Sequence, residues 1–416
     1  MNTRALHPLD ETLMHQVPWP FGFAGTSDPR FYDRYWFAGV DPAGDAGFIS
    51  GMALYKNIGV CDGYGAVQRG GRQFNSRWSR PLTTATAQSA VGDLAVEILE
   101  PYRTVRVAWS GDSTPLAADL VFTSGFDPYT EEHYLDASTG RVTQEITRYN
   151  QIGRWDGWLS IDGARISVDD WWAVRDHSWG VRPGVGGIDR SVADPAARSS
   201  APMMHTVLYA ATADFCVCVS RRENQRGTVT YLDGEVIGVD GRHSTVVIAD
   251  VTTEFVPGTR TYRSVRIEVE TDAGARHEIV ATPLLEPWAY AGTGYDGGYR
   301  DGRGLGVPRG DLVEHESTSW FHPKPYCSTV IQPRAATANS SRRSSSTVSP
   351  PPDTARSWRA ARCRIAGSAD GRSEDAAGRS SRPRGDPGSR RPLQPLRRHR
   401  PHRTGSPTVH RRRHPR

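Results

Sequence analysis

The sequence predicts an all-β protein built as two antiparallel β-barrels in tandem, and three observations predict it. Short runs rich in Val, Ile, Tyr, Phe, Trp and Thr recur along the chain, several with alternating apolar and polar residues. Turn signals separate them at short, even spacing, the pattern of a meander closing into a barrel or a sandwich. Amphipathic helical periodicity is scarce, and two β-rich stretches of similar length flank a Gly-, Ala-, Asp- and Ser-rich segment at 184–202. The expected organisation is a first barrel over 1–183, a linker over 184–202, a second barrel over 203–330 and a tail over 331–416.

In chain order, residues 1 to about 30 are rich in Pro and Gly, with Trp19, Phe21 and Phe23 as candidates to anchor this arm on the body. Strand signals run over 34–37 and 47–55, separated by the turn Asp41-Pro42-Ala43-Gly44-Asp45. Two more cover 94–101 and 102–109, the second with Val105, Val107 and Trp109 on one side. Further strands are expected at 116–123, 140–149 and 157–161, the last ending in the turn Ile161-Asp162-Gly163. Beyond the linker the same grammar gives 206–211, 215–219, 227–231, 234–239, 244–251, 262–270 and 277–283. There Leu232-Asp233-Gly234 and Asp272-Ala273-Gly274 read as hairpin turns.

The tail changes character. From 334 to 416 it carries 21 Arg, no Lys and 5 acidic residues, a local balance of +16, although the whole chain of 416 residues stands at only +5. The first 333 residues hold 30 basic against 41 acidic groups, so the part expected to fold is mildly acidic. A nucleic-acid or polyanion partner would therefore rest on the tail alone. Such a composition cannot bury enough apolar surface to offset chain entropy. Two accounts fit it. One is a disordered, polyanion-attracting segment. The other is a GC-rich gene read out of frame, which yields Arg without Lys together with Pro, Ala and Gly.

Five cysteines, irregularly spaced, make no disulfide framework and no zinc pattern. Cys216 and Cys218 share one face if their run is a strand, a spacing that disfavours a mutual disulfide. The N-terminus lacks an apolar leader, and no apolar run approaches the ~20 residues of a membrane span, so a soluble, cytoplasmic protein is expected.

Chemistry concentrates at 171–183, WWAVRDHSWGVRP, around Arg175-Asp176-His177-Ser178-Trp179-Gly180. In an extended chain Arg175, His177 and Trp179 share one face, while Asp176 and Ser178 share the other. A histidine beside an aromatic plane with a carboxylate next door can move a proton, or hold an electron-poor centre against a π-face. It also reads as a strand end whose polar groups satisfy one another in a core. The Gly-dense stretch 292–310 lacks the βα context of a dinucleotide site. It fits a loop whose backbone approaches something closely, with Tyr295 and Tyr299 supplying ring surface. Glu314-His315-Glu316 reads as a solvated strand end, for no third metal ligand is visible. No cofactor and no metal is expected. Arg148 reads as a partner for an acid such as Asp119 or Glu145. Trp155 and Trp158 read as barrel-end packing or substrate platforms, and Tyr149 as core or cavity lining.

Asp176-His177-Ser178-Trp179-Gly180 at the end of one β-domain resembles the lipocalin-like tandem-barrel superfamily of carotenoid 1,2-hydratase (hydroxyneurosporene synthase), AttH-like proteins and some fungal Diels–Alder cyclases. Arg148-Tyr149-Asn150-Gln151-Ile152-Gly153, the following Gly157–Gly163 stretch read as GWLSIDG, and Gly297-Gly298-Tyr299-Arg300-Asp301-Gly302-Arg303-Gly304 are similar to an uncharacterised actinobacterial branch of it. The resemblance covers roughly 10–325. It implies two lipocalin-like barrels side by side with an apolar cavity facing the motif. It also implies roles for His177 and Trp179 in adding water to an alkene, with Asp176 adjacent. The hydratase pattern includes a Tyr-x-Asp pair somewhat downstream, whose Asp is the expected proton donor. Around 203–206 there is none, and Tyr231-Leu232-Asp233, which fits in letters, falls at the expected hairpin turn.

Two readings follow. In the first, an apolar isoprenoid, steroid or polyketide-like ligand undergoes acid-type hydration or cyclisation of a C=C bond, with Asp176, His177 and Trp179 catalytic, as in a hydro-lyase or cyclase. Arg175, Tyr149, Trp158, Tyr295 and Tyr299 line the ligand. In the second, the same barrel is a non-catalytic lipid carrier, and Arg175, Asp176 and His177 tie the two barrels together.

Overall fold

Two antiparallel sheets carry the chain, and no α-helix occurs among the described residues. The computed structural model describes residues 11, 13–16, 18–82, 89–137, 140, 142–187, 204–257, 261–288, 293, 304–310, 313–321 and 361–367. The first sheet takes β1 (Phe31–Val40), β2 (Ala46–Tyr55), β3 (Val60–Arg69), β4 (Arg72–Pro81), β5 (Ala90–Val91), β6 (Leu94–Glu100), β7 (Thr104–Trp109) and β8 (Leu116–Ser124). It adds the short β9 (Tyr129–Thr130) and β10 (Tyr134–Asp136) and the long β11 (Gln144–Ile161) and β12 (Ala164–Val181). The second takes β13 (Met204–Ala211), β14 (Phe215–Glu223), β15 (Val229–Gly238), β16 (His243–Phe255), β17 (Tyr262–Thr271) and β18 (Arg276–Pro283). Next in the chain, β19 (Glu314–Phe321), inside the span expected for the second barrel, returns to pair with β4 at the edge of the first sheet. Finally β20 (Ala361–Gly367) pairs with β18. Apart from β20, the tail expected over 331–416 lies outside the described residues, as does 188–202 of the linker expected over 184–202.

The first sheet runs β19-β4-β3-β2-β1-β12-β11-β8-β7-β6-β5 and curls, so that β5 and β6 pack across β3 and β4 meets β8. It is a half-barrel. The second runs from β13 to β20, and those two edges approach each other, nearly closing the barrel. Three cores result. One fills the curl of the first sheet, with Phe37, Phe48, Trp78, Trp109, Phe122 and Trp155 all but inaccessible. A second fills the inside of the other sheet around Val217, Val219, Ile267 and Ile279. Between them, Trp36, Tyr129, Val174, Tyr209, Cys216 and Cys218 join the outer faces. Both cysteines are buried there on one face of β14.

Local sequence explains the turns. β11 and β12 are joined by Asp162-Gly163, both at positive φ (49° and 81°), the two-residue hairpin that Asp-Gly favours. The expected strands 140–149 and 157–161 are one strand, β11, interrupted only by a bulge between Trp155 and Gly157. Gly157, at φ 129°, passes so close to β8 that a Cβ would stand 2.1 Å from the Asp119 carbonyl oxygen. Likewise 227–231 and 234–239 merge into β15, so Leu232-Asp233-Gly234 is mid-strand and not a hairpin turn. Trp19, expected as an anchor, is exposed, with its ring 6.1 Å from that of Phe23. Among the described residues no helix is long and apolar enough to cross a membrane.

Candidate functional site

The motif lies on the last turn-free residues of β12, flanked by β1 and β11. Register sets Tyr35, His177 and Tyr149 side by side across the three strands, with Asp33 opposite Trp179 and Phe37 opposite Arg175. All project into the curl of the first sheet, continuous with its core. Here His177 Nε2 lies 2.8 Å from Oδ1 of Asp33. Its Nδ1 is 3.4 Å from the Tyr149 hydroxyl. A carboxylate only accepts, so Nε2 carries the proton and Nδ1 accepts from the phenol. The result is an Asp33–His177–Tyr149 chain.

Rings enclose it. The His177 centroid is 4.6 Å from Tyr35, 5.1 Å from Trp179 and 5.4 Å from Tyr149. Tyr102, in the turn between β6 and β7, meets Tyr149 edge-on at 5.4 Å. The side chains of His177 and Asp33 are 22% and 33% exposed, so the chain opens to solvent at its carboxylate end. Burial, reinforced by Asp33, pushes the Tyr35 phenol up to about 12. Burial also raises Tyr149, which keeps its phenol neutral.

Arg175 sits one step deeper, 2% exposed. Its Nε donates to Gln151 Oε1 at 2.9 Å and Nη2 donates to the same oxygen. Gln151 is in turn fixed, its Nε2 donating to the Tyr102 carbonyl (2.7 Å) and Ser124 Oγ (3.0 Å). The guanidinium carbon lies 5.4 Å from the Tyr149 ring and 5.5 Å from that of Phe122.

Asp176 is elsewhere. It occupies the opposite face with Arg34 (3.8 Å) and Arg148 (3.9 Å), buried between the sheets. Arg148 pairs with Glu131 at 3.0 Å and not with Asp119 or Glu145, which engage Arg106 and His133. Asn150 Nδ2 donates to Glu131, and the Tyr209 hydroxyl of the second sheet donates to Asn150 Oδ1. Asp233 completes this interface from β15. It accepts from the Tyr129 hydroxyl at 2.6 Å and from the Glu132 amide at 2.8 Å, with Tyr231 at 3.4 Å.

On the same outer face a recess of about 380 Å³, mouth included, is walled by Arg34, Tyr55, Asp62, Tyr64, Arg77 and Arg309. Burial raises the Asp62 carboxyl against the hydrogen bonds it accepts from Ser79 and the Gly306 amide. This recess reaches the motif strand through Arg34, which faces Asp176. Glu316 of the expected solvated strand end ion-pairs with Arg77. Among the described residues no cluster of three or more His, Cys, Asp or Glu is placed to hold a metal.

The structure thus joins His177, Trp179, Arg175 and Tyr149, and separates Asp176 from them. Trp158 is nine residues along β11 from Tyr149, roughly 30 Å away, with Arg165 stacked 4.0 Å over its ring. Tyr295 and Tyr299 lie outside the described residues. Sequence reasoning missed Asp33, Tyr35 and Tyr102. Asp33 and Tyr35 were visible as alternate residues of FYDRYWF, but only the β1–β12 register puts them against His177.

Fold and site together define an all-β protein of two antiparallel sheets with a histidine–carboxylate pair under aromatic cover. Residues 6–319 match the family of unknown function DUF8625, and the chain belongs to that family. No curated protein matches it. Solved structures similar to it include an AttH-type protein of Nitrosomonas europaea, 11% identical over 67% of this chain and 89% of that one, at a TM-score of 0.43. Kievitone hydratase of Nectria haematococca is 9% identical over 64% and 81%, at 0.40. CghA, solved with Sch210972, is 11% identical over 62% and 78%, at 0.40.

Proposed function

We propose that the first sheet binds an apolar small molecule against Tyr35, Tyr102, Tyr149 and Trp179 and moves a proton on it through Asp33, His177 and Tyr149. The observation that carries this is the 2.8 Å contact of His177 Nε2 with Asp33 inside a shell of rings. Asp33 holds the tautomer and stabilises the imidazolium that forms. His177 Nδ1 takes the Tyr149 proton as the phenol oxygen takes one from the ligand. Run backwards, the same chain protonates a C=C bond. Hydration or ring closure of an activated alkene fits this chemistry: one carbon gains the Tyr149 proton, its neighbour bonds the oxygen or carbon nucleophile, and the proton that nucleophile sheds returns to the chain through His177. Asp176 has no part in it, because it opens on the other face of the sheet.

The test is conversion. The ligand retained from a host lipid extract is identified by native mass spectrometry, then incubated with the chain and with His177→Ala and Asp33→Asn. Turnover that falls by about 10² or more in both variants supports the reading. Turnover unchanged in both sinks it. A second reading, a carrier without chemistry, is favoured by the buried network of Asp176, Arg148, Glu131 and Asn150, which Tyr209 and Asp233 join to the second sheet, although of the motif residues expected to tie the barrels only Asp176 lies there. Recovery of an unaltered ligand after prolonged incubation would decide for it.

A further inference from the structure

Arg175 is a buried cation without a buried anion. Its polar partners are both neutral, the Gln151 amide and the Tyr149 phenol, and the phenols of Tyr35 and Tyr102 also act on it electrostatically. Among the described residues no carboxylate pairs with it. Every other buried arginine near the motif differs: Arg34 and Arg148 face Asp176, and Arg148 also holds Glu131. The phenols do not supply the missing charge, since burial holds Tyr149 and Tyr35 neutral. Burial lowers the Arg175 pKa, yet a guanidinium stays protonated near neutral pH. A cation taken out of water without a counter-ion destabilises the fold. A fold that keeps one beside a proton-transfer site has a use for it.

The position says which use. Gln151 occupies Nε and Nη2, which leaves Nη1 outside those two bonds. The Tyr149 phenol accepts from the guanidinium and donates to His177, so an oxygen bound beside Arg175 meets the guanidinium as its donor. The rings of Tyr149 and Phe122 stand 5.4 and 5.5 Å from the guanidinium carbon, and Tyr102 covers Tyr149 edge-on, so its surroundings are aromatic. We infer that Arg175 is the anchor for the carboxylate of an apolar, singly charged acid whose hydrocarbon part lies against Tyr102, Tyr149 and Trp179. This rests on the site proposed above and narrows its ligand class from a neutral lipid to an amphipathic acid.

The experiment compares decanoate with decanol, which differ in charge and little in length, by isothermal titration into the full chain near neutral pH. Decanoate should bind about tenfold or more tightly, and Arg175→Met should erase that difference while leaving decanol binding unchanged. Arg175→Lys should restore part of it. Arg175→Met should melt at or above the wild-type temperature, because a buried charge without a counter-ion is replaced by an apolar chain of similar volume. Decanoate should raise the melting temperature of the wild type and not of that variant. Equal binding of the two probes to the wild type overturns the inference while leaving the apolar site standing. So does a decanoate preference that survives in Arg175→Met, which would belong to the arginines of the tail. Failure of both probes to bind removes the site and the inference together.

Discussion

His177 and Asp33, 144 residues apart in the chain, stand 2.8 Å from one another, whereas His177 and its sequence neighbour Asp176 face opposite sides of the sheet. The two carboxylates therefore answer to different tests. Asp33→Asn should abolish proton transfer and leave stability within about 0.5 kcal/mol, since its side chain is one-third exposed. Asp176→Asn should do the reverse. It withdraws charge from Arg34 and Arg148 in a dry interface, at a cost of about 3 kcal/mol. Urea unfolding beside turnover separates them, and a stable, inactive Asp176→Asn would reinstate Asp176 as the acid.

Asp233 makes a parallel case in the same interface. Asparagine there keeps one acceptor oxygen but cannot take both the Tyr129 hydroxyl and the Glu132 amide at the same strength. A loss of about 1–3 kcal/mol is expected, with the mid-point falling and the ligand affinity of the first sheet unchanged. A matching loss of affinity would show that the interface and the His177 site are coupled.

These cases show what the sequence discloses. Alternation placed Arg175, His177 and Trp179 on one face because period 2 is local, and the structure keeps them there. The partner of His177 was not legible, because pairing of β1 with β12 is a long-range choice that no local pattern encodes. β3 and β4 were also not legible as strands. Gly63 and Gly65 weaken strand propensity, yet both are needed: a Cβ at Gly65 would stand 2.7 Å from the Trp109 ring, and one at Gly63 2.6 Å from Val91. Leu232-Asp233-Gly234 failed in the opposite sense. Its letters spell a turn, but Asp233 is held in β15 by the partners it finds on β9 and beyond, so tertiary contacts override the local signal.

Alkaline pH should weaken the fold through the site itself. The Tyr35 pKa is raised to about 12 in the fold from an ordinary 10. A raised group contributes fully below its unfolded pKa and loses that contribution as pH climbs through its folded value. Between pH 10 and about 12 Tyr35 alone should therefore cost about 2–3 kcal/mol. Tyr35→Phe should flatten this limb in denaturation curves collected across that range. It should not remove it, because the Cys61 thiol, pushed up to about 12 by burial, adds a loss that begins above pH 9.

The closing glycine of the motif is a backbone requirement. Gly180 has φ 135°, and a Cβ there would stand 2.0 Å from the Glu145 carbonyl oxygen on β11. Alanine must push β12 away from β11 just beyond Trp179. Gly180→Ala should cost about 2–4 kcal/mol and disturb His177 as well, seen as a shifted imidazole resonance; an unperturbed variant would show that the strands part freely there.

Tyr102 bears strain that its contacts have to offset. It is a tyrosine at φ 59°, more than half exposed, in the left-handed region where a Cβ costs about 1–2 kcal/mol. Its carbonyl orients Gln151 beneath Arg175, while its ring covers Tyr149. Glycine at this position keeps the carbonyl and relieves the strain but removes the cover. Tyr102→Gly should leave stability equal or higher, raise the Kd for the apolar ligand several-fold, and expose Tyr149 to solvent in an alkaline titration. If stability drops by more than about 1 kcal/mol with affinity intact, the ring is packing for the turn and not a wall of the site.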